Sequence, residues 1–213
     1  MRFTVAPVNT EVYGCDIMSD QLSVRDWLDQ GLKTLAERGF TALKAEPLAK
    51  ALGVSRGSFY WHFSDVGAYH AAILKYWREV AAERVIADIE AAADNESPLK
   101  ILLRQAFSGR LALERAVRSW ATVDPAAKGA VQAIDRRRLD YIDGQLQALG
   151  LPCAVAQARA QILYWAFVGH ALSDRPPLKA RQDTLIEELL RMALGGASGA
   201  PMLEPRQKPE KKP

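Results

Sequence analysis

From Ser23 to Arg38 the apolar positions return every three or four residues, so that Trp27, Leu28, Gly31, Leu32, Leu35 and Ala36 share one face. That period predicts an amphipathic helix, and Gly39 follows where a left-handed residue can end it. A short helix is expected next, roughly Pro47 to Leu52, with Leu48, Ala49 and Leu52 inward. Pro47 suits a first helical position, where its missing N–H would be unpaired anyway. Gly53 ends this helix. Ser55 is placed to cap a third one by accepting from the backbone N–H of Gly57 or Ser58. Phe59 and Phe63, four apart, then lie on one face. Ser64 is read as the cap of a longer helix from Asp65 towards Ala92, with Tyr69, Ile73, Tyr76, Trp77 and Val80 along one side.

Asp94-Asn95-Glu96-Ser97-Pro98 breaks the chain. Beyond it the pattern predicts helices over about 98–120, 125–149, 153–173 and 178–194. The breaks fall at Asp124-Pro125, Gly150-Leu151-Pro152 and Asp174-Arg175-Pro176-Pro177. No run alternates β-branched or aromatic with polar residues between turn signals, and no internal repeat is found. The fold class is therefore all-α. Residues 1–20 carry no helical period and read as a flexible arm, within which Met18 offers a second start. Residues 195–213, rich in Gly, Pro and Lys, read as a disordered basic tail that buries too little apolar surface to offset its ordering entropy.

Composition narrows the classes. A chain of 213 residues can bury a real core, and it has no stretch of 18 apolar residues that would span a bilayer. A secretory leader is not expected from its opening residues. Cys15 and Cys153 lie far apart and form no metal spacing, which suggests a reduced, cytoplasmic chain. The net charge of +3 permits nucleic-acid binding without announcing it, since binding depends on where charge is placed.

The sharpest local signal runs from Leu48 through Gly53-Val54-Ser55 to Phe63. Helix, glycine turn and capped helix make a helix-turn-helix, whose second helix lies in the major groove with its first residues at base edges. Arg56 can pair bidentately with guanine O6 and N7. Gly57 removes a side chain where backbone and DNA approach, and Ser58 can bond a base or a phosphate. Tyr60, Trp61 and His62 carry polar tips suited to phosphates, while Phe59 and Phe63 face the protein. Each piece also occurs in helical hairpins of enzymes. What favours DNA here is the set of polar and aromatic groups opposite a two-Phe anchor, where an ordinary helix would place Lys and Glu.

Residues 22–80 resemble the DNA-binding domain of the TetR family of transcriptional regulators. The resemblance covers the first helix with its Gly39-Phe40 exit, the Leu48-Ala49 pair, the Gly53-Val54-Ser55 turn and Ser58-Phe59-Tyr60-Trp61-His62-Phe63. It implies a helix-turn-helix domain over residues 21–81, followed by a helical ligand-binding and dimerisation domain over 82–194. It also implies a homodimer on a palindromic DNA operator, released by a small-molecule effector. Arg56, Gly57 and Ser58 take the base-facing positions. Tyr60, Trp61 and His62 take backbone-facing ones, with Ser55 at the cap. Three departures stand out. Lys44-Ala45-Glu46-Pro47 stands where the family often has a Thr or Ser capping the second helix. Glu46 occupies a position near DNA, and Ser64-Asp65-Val66-Gly67 replaces a first-turn lysine that is common in the family.

In the second half, Ala154, Ala158, Ile162, Ala166 and Gly169 recur at helical spacing, as do Leu185, Leu189 and Met192. They suit a dimer bundle, the favoured reading, with an internal core as the alternative. Phe107, Leu111, Trp120, Tyr141, Trp165 and His170 are the candidate liners of an effector pocket, and the aromatic ones suggest an aromatic or lipophilic effector. The run Asp135-Arg136-Arg137-Arg138 reads as a solvated or salt-bridged helix face. No phosphate loop, metal spacing or nucleophile elbow is present, so no enzyme activity and no cofactor are expected. The competing reading is a helical ligand- or protein-binding module of the same fold without specific DNA binding.

Overall fold

The computed structural model describes residues 22–92, 96–108, 111–174 and 179–195. The expected arm with Met18 and Cys15, and nearly all of the expected tail, lie outside them. Ten α-helices and no strand occur among the described residues. Helix α1, Val24–Arg38, opens with a capping box. The Ser23 hydroxyl accepts from the Asp26 N–H, and the Asp26 carboxylate accepts from the Ser23 N–H at 2.7 Å. It closes on Gly39 at φ 77°, a left-handed φ that favours glycine.

A short 3-10 turn, Phe40–Ala42, leads to α2, Ala45–Ala51. This helix begins two residues before the expected Pro47, which therefore sits at the third helical position rather than the first. The early start costs nothing, because none of the first four N–H groups has an intrahelical partner. Gly53, at φ 71°, turns the chain into α3, Arg56–His62.

The cap of the next helix also differs from expectation. Asp65, not Ser64, caps α4, Val66–Arg78, by accepting from the Ala68 N–H at 2.8 Å. A carboxylate accepts more strongly than a hydroxyl, and Ser64 instead donates to it. The expected single helix to Ala92 is interrupted by a π-helical turn, Glu79–Glu83, before α5, Arg84–Ala91. The expected helix over 98–120 is two, α6, Pro98–Ser108, and α7, Ala112–Trp120. Then come α8, Pro125–Ala148, α9, Cys153–Leu172, and α10, Lys179–Leu194. Asp124 caps α8 through the Ala126 and Ala127 N–H groups, with Pro125 at its first position.

The buried side chains among the described residues form two large clusters and a small third one of Ile86, Ile89, Ile101 and Tyr141. Trp27, Leu35, Leu48, Phe59, Tyr69 and Ile73 pack the N-terminal end, and its cluster continues through Trp77 to Val117, Trp120 and Ile134. A second cluster gathers Leu99, Leu103, Phe107, Ile142, Leu163 and Tyr164. Helix α7 joins the two. It packs along α1, and Trp120 at its end stacks on Phe40 at 5.8 Å and meets the edge of His70 at 5.2 Å. His70 Nε2 lies 2.9 Å from the Leu43 carbonyl, which can only accept, so that nitrogen donates.

Candidate nucleic-acid interface and ligand cavity

Helix α3 is short and would not hold its shape alone. Phe59 anchors it. The ring is fully buried and meets Trp27 edge-on at 5.4 Å and Tyr69 at 5.2 Å. Tyr69 is fastened in turn by its hydroxyl, which donates to the Trp27 carbonyl at 2.9 Å. Burial raises the Tyr69 pKa, so the phenol stays a donor. Phe63 stacks edge-on against the same Tyr69 at 4.8 Å.

With that side fixed, the opposite side carries Arg56, Gly57, Tyr60 and Trp61 into solvent, while Ser58 and His62 are half-buried. Trp61 is 89% exposed, the outlier among the large apolar side chains of this region. Arg56 donates to the Tyr60 hydroxyl at 3.3 Å and lies over its ring. The Tyr60 bond is also the main cause of the raised Arg56 pKa. His62 leans inward, 6.3 Å from Trp27. Ser55 holds the cap position through its carbonyl, which accepts from the Ser58 N–H at 3.0 Å. Its hydroxyl makes no cap bond, contrary to the sequence expectation.

Three further cations belong to this surface and escaped the motif. A groove beside α3 is lined by Arg38, Lys44, Lys50 and Arg56, with Glu46 among them. Four cations to one carboxylate make a positive trough that can follow a phosphate backbone. Lys44 stands at the N-cap of the first helix of the motif and Lys50 lies in its last turn, and those positions were the sequence signal available for them.

Farther along the chain, α4 to α9 line a partly open cavity of about 280 Å³. Its wall includes Trp77, Ala81 and Ala82 from the α4 side, Leu99, Leu103 and Phe107 from α6, Ile142 from α8, and Leu163 and Phe167 from α9. Of the six expected liners, Phe107, Leu111 and Tyr141 reach it. Trp120 does not, because it is the buried plug between Phe40 and His70. Trp165 faces outward, 65% exposed. His170 stacks behind Phe107 at 5.2 Å instead of facing the cavity.

Glu114 and Arg138 also line the wall; Glu114 did not stand out in the sequence, and Arg138 did only as part of the basic run. Glu114 Oε1 accepts from Arg138 at 3.0 Å and from Arg118 at 2.8 Å, while its Oε2 accepts from Arg138 at 3.1 Å. Arg118 also donates to Asp135 at 2.7 Å and to the Tyr164 hydroxyl at 2.8 Å, and that hydroxyl donates to Asp135 at 2.5 Å. Burial, then the Asp135 bond, pushes the Tyr164 pKa up to about 12. Burial alone would lower the Arg138 pKa. The charge and bonds of Glu114 outweigh it, and the group stands above its ordinary value. Arg138 also donates to the Ala81 carbonyl in the π-helical turn at 3.1 Å. Such a turn breaks the i→i−4 ladder, which leaves that carbonyl available to a side chain. The basic run is thus split. Arg137 pairs with Glu83 at the surface, and Arg138 closes the cavity.

A helix-turn-helix held by a filled aromatic core is joined to an all-α body that carries a cavity. Residues 28–65 match the bacterial regulatory proteins of the tetR family, and the chain carries the N-terminal domain of that family. Solved structures of low identity share the fold. A protein from Saccharomonospora viridis, described as a transcriptional regulator in complex with choline, aligns with TM-score 0.62 at 16% identity, over 81% of this chain and 96% of that one. A Rhodococcus protein described as a TetR-family transcriptional regulator aligns with TM-score 0.61 at 17% identity, over 84% of this chain and 100% of that one. The multidrug-binding protein EbrR complexed with malachite green aligns with TM-score 0.54 at 16% identity, over 79% of this chain and 96% of that one. No curated protein matches the chain in sequence. No described helix is long and apolar enough to cross a membrane.

Proposed function

We propose that the chain is a non-enzymatic cytoplasmic repressor that binds a palindromic operator as a homodimer and is released by a small molecule in its cavity. Residues 21–81 form the reading head and 82–194 the regulatory and dimerisation body. The observation that carries the reading is α3. Its buried Phe59 fixes which side is free, and that side presents Arg56, Gly57, Tyr60 and Trp61 beside a cationic groove. Arg56, Gly57 and Ser58 then meet bases, and Ser55, Tyr60, Trp61 and His62 meet the backbone. The exposed apolar residues Val155, Ile162, Trp165 and Leu172 on α9, with Met192 on α10, support pairing of two copies. Relatives in fold that hold choline or malachite green support an effector in the body.

Two heads related by a dyad need half-sites spaced by whole turns, about 34–36 Å or a multiple. Footprinting on the gene's upstream DNA should show an inverted repeat, and sedimentation equilibrium a mass of two chains. Arg56→Ala should lose roughly 1–3 kcal/mol and relax preference at one position per half-site. Tyr60→Phe removes a hydroxyl bond to a charged phosphate and should weaken every sequence alike, by about 1.5–3 kcal/mol. A uniform loss from Arg56→Ala, with altered base preference from Tyr60→Phe, would reverse these assignments.

A further inference from the structure

The cavity wall also carries information about the chemistry of what fills it. Resting on the effector reading above, we propose that the cavity takes an uncharged, mainly apolar molecule of roughly ten to twelve non-hydrogen atoms, of the size of a substituted bicyclic aromatic, and excludes ions of either sign. Size follows from volume. An apolar protein cavity of about 150 Å³ holds benzene, six heavy atoms at ~25 Å³ each, and the same density in 280 Å³ gives about eleven. Shape and surface follow from the liners, which are aliphatic and aromatic apart from Gln105, Glu114, Arg138 and the phenols Tyr141 and Tyr164.

Charge is decided by the pairing. Glu114 and Arg138 are the charged residues among the described liners, and they are closed on each other. Both Glu114 oxygens accept from Arg138, which gives a third N–H to Ala81 and lays its face on Phe167 at 5.1 Å, so each charge already has its counter-charge. With Arg118 and Asp135 the set holds two cations and two carboxylates, so it is neutral. A cationic ligand would find no free carboxylate and an anionic one no free guanidinium. Each would bury a charge without a partner, which is the costly case. A neutral ligand disturbs none of this and gains from every apolar contact.

The test uses the full chain, without DNA, and three probes of one ring system at pH 7: 2-naphthol, 2-naphthoate and 2-naphthylmethylammonium. Titration calorimetry should show 2-naphthol bound at least tenfold more tightly than either ion. Equal or tighter binding of either ion, or no binding of 2-naphthol, overturns the proposal. Ile142→Trp fills the wall and should abolish 2-naphthol binding, and retained binding would place the ligand elsewhere. Glu114→Gln frees Arg138 and should shift the preference towards 2-naphthoate. If that variant does not fold, the comparison on the unaltered chain still decides. Bound 2-naphthol that leaves the operator complex intact in a gel shift overturns the regulatory reading and leaves the ligand class standing.

Discussion

The two ends of the molecule solve the packing problem in opposite ways. Around α3 the space is filled. Trp27, Phe59, Phe63 and Tyr69 interlock through edge-on and tilted contacts of 4.8–5.4 Å, and Gly31 is small because Tyr69 and Ile73 occupy the room its side chain would need. The body is hollow, and the charges at its void are locked into one neutral set. A reading head must hold side chains in register with a groove, so rigidity serves it. An effector site must admit a molecule, so it gives up apolar contacts that would otherwise stabilise it. Between them, α7 touches both, with Glu114 near one end and Trp120 at the other.

The largest expected effect breaks the ionic lock. Arg138→Ala leaves Glu114 buried with Arg118 as its remaining partner and should cost about 3–5 kcal/mol. Its neighbour Arg137 pairs with Glu83 where both are well exposed, so Arg137→Ala should cost below about 1 kcal/mol. Urea unfolding with unchanged slope reads the difference directly. Equal midpoints for the two variants would show that the lock does not hold the body together.

The next effect sharpens the contrast by adding methyl groups rather than removing charge. Gly31→Ala drives a Cβ into the Tyr69 hydroxyl and Ile73 Cδ1, and overpacking of this kind costs about 1–3 kcal/mol, more than alanine's helix preference returns. Ala106→Leu projects into the cavity and should stabilise by about 0.5–2 kcal/mol while weakening 2-naphthol uptake. The same kind of change thus has opposite signs in the two regions. Thermal unfolding of both variants checks it, and destabilisation by Ala106→Leu would mean the void is not available to side chains.

The difference between the regions also governs what the sequence could reveal. In the head the decisive signals are local: Ser23 three residues before Asp26, left-handed Gly39 and Gly53, and Phe59 four residues from Phe63. Their meaning does not depend on distant neighbours, so helix positions and the free side of α3 were readable. In the body the decisive contacts join residues far apart, as Glu114 does with Arg138 and Arg118 with Asp135. Periodicity shows that Trp120 and Trp165 lie on helices. It does not show that one plugs the junction with the head while the other faces solvent. The π-helical turn Glu79–Glu83 contains neither Gly nor Pro and left no mark. Between α6 and α7 the sequence does carry a glycine, but the helical period of the flanking residues masked it.

The smallest effect returns to the head, at Asp65. Its carboxylate caps α4, and the Ala68 N–H bond, aided by the Ser64 hydroxyl, holds its pKa below the usual carboxylate range. A depressed folded pKa contributes stability that is fully present above the unfolded value, near 4. That contribution is lost as pH falls through the lower folded value. Asn caps as well as Asp, so Asp65→Asn should match the unaltered chain in melting temperature at pH 7 when the cap bond is what matters, and should lose less of it between about pH 5 and pH 2. Its effect on DNA has the other sign. A negative charge at a helix N-terminus competes with the phosphate that would otherwise dock there. Removing it should tighten binding to all operator variants alike, by roughly two- to fivefold at low salt, the range of a single screened helix-terminus charge. Gel-shift titrations of the single-base variant panel at fixed salt make the comparison. A gain confined to one operator position would make Asp65 a reader of sequence, and no gain at all would turn the N-terminus of α4 away from the duplex and leave the cationic groove of Arg38, Lys44 and Lys50 to guide the backbone.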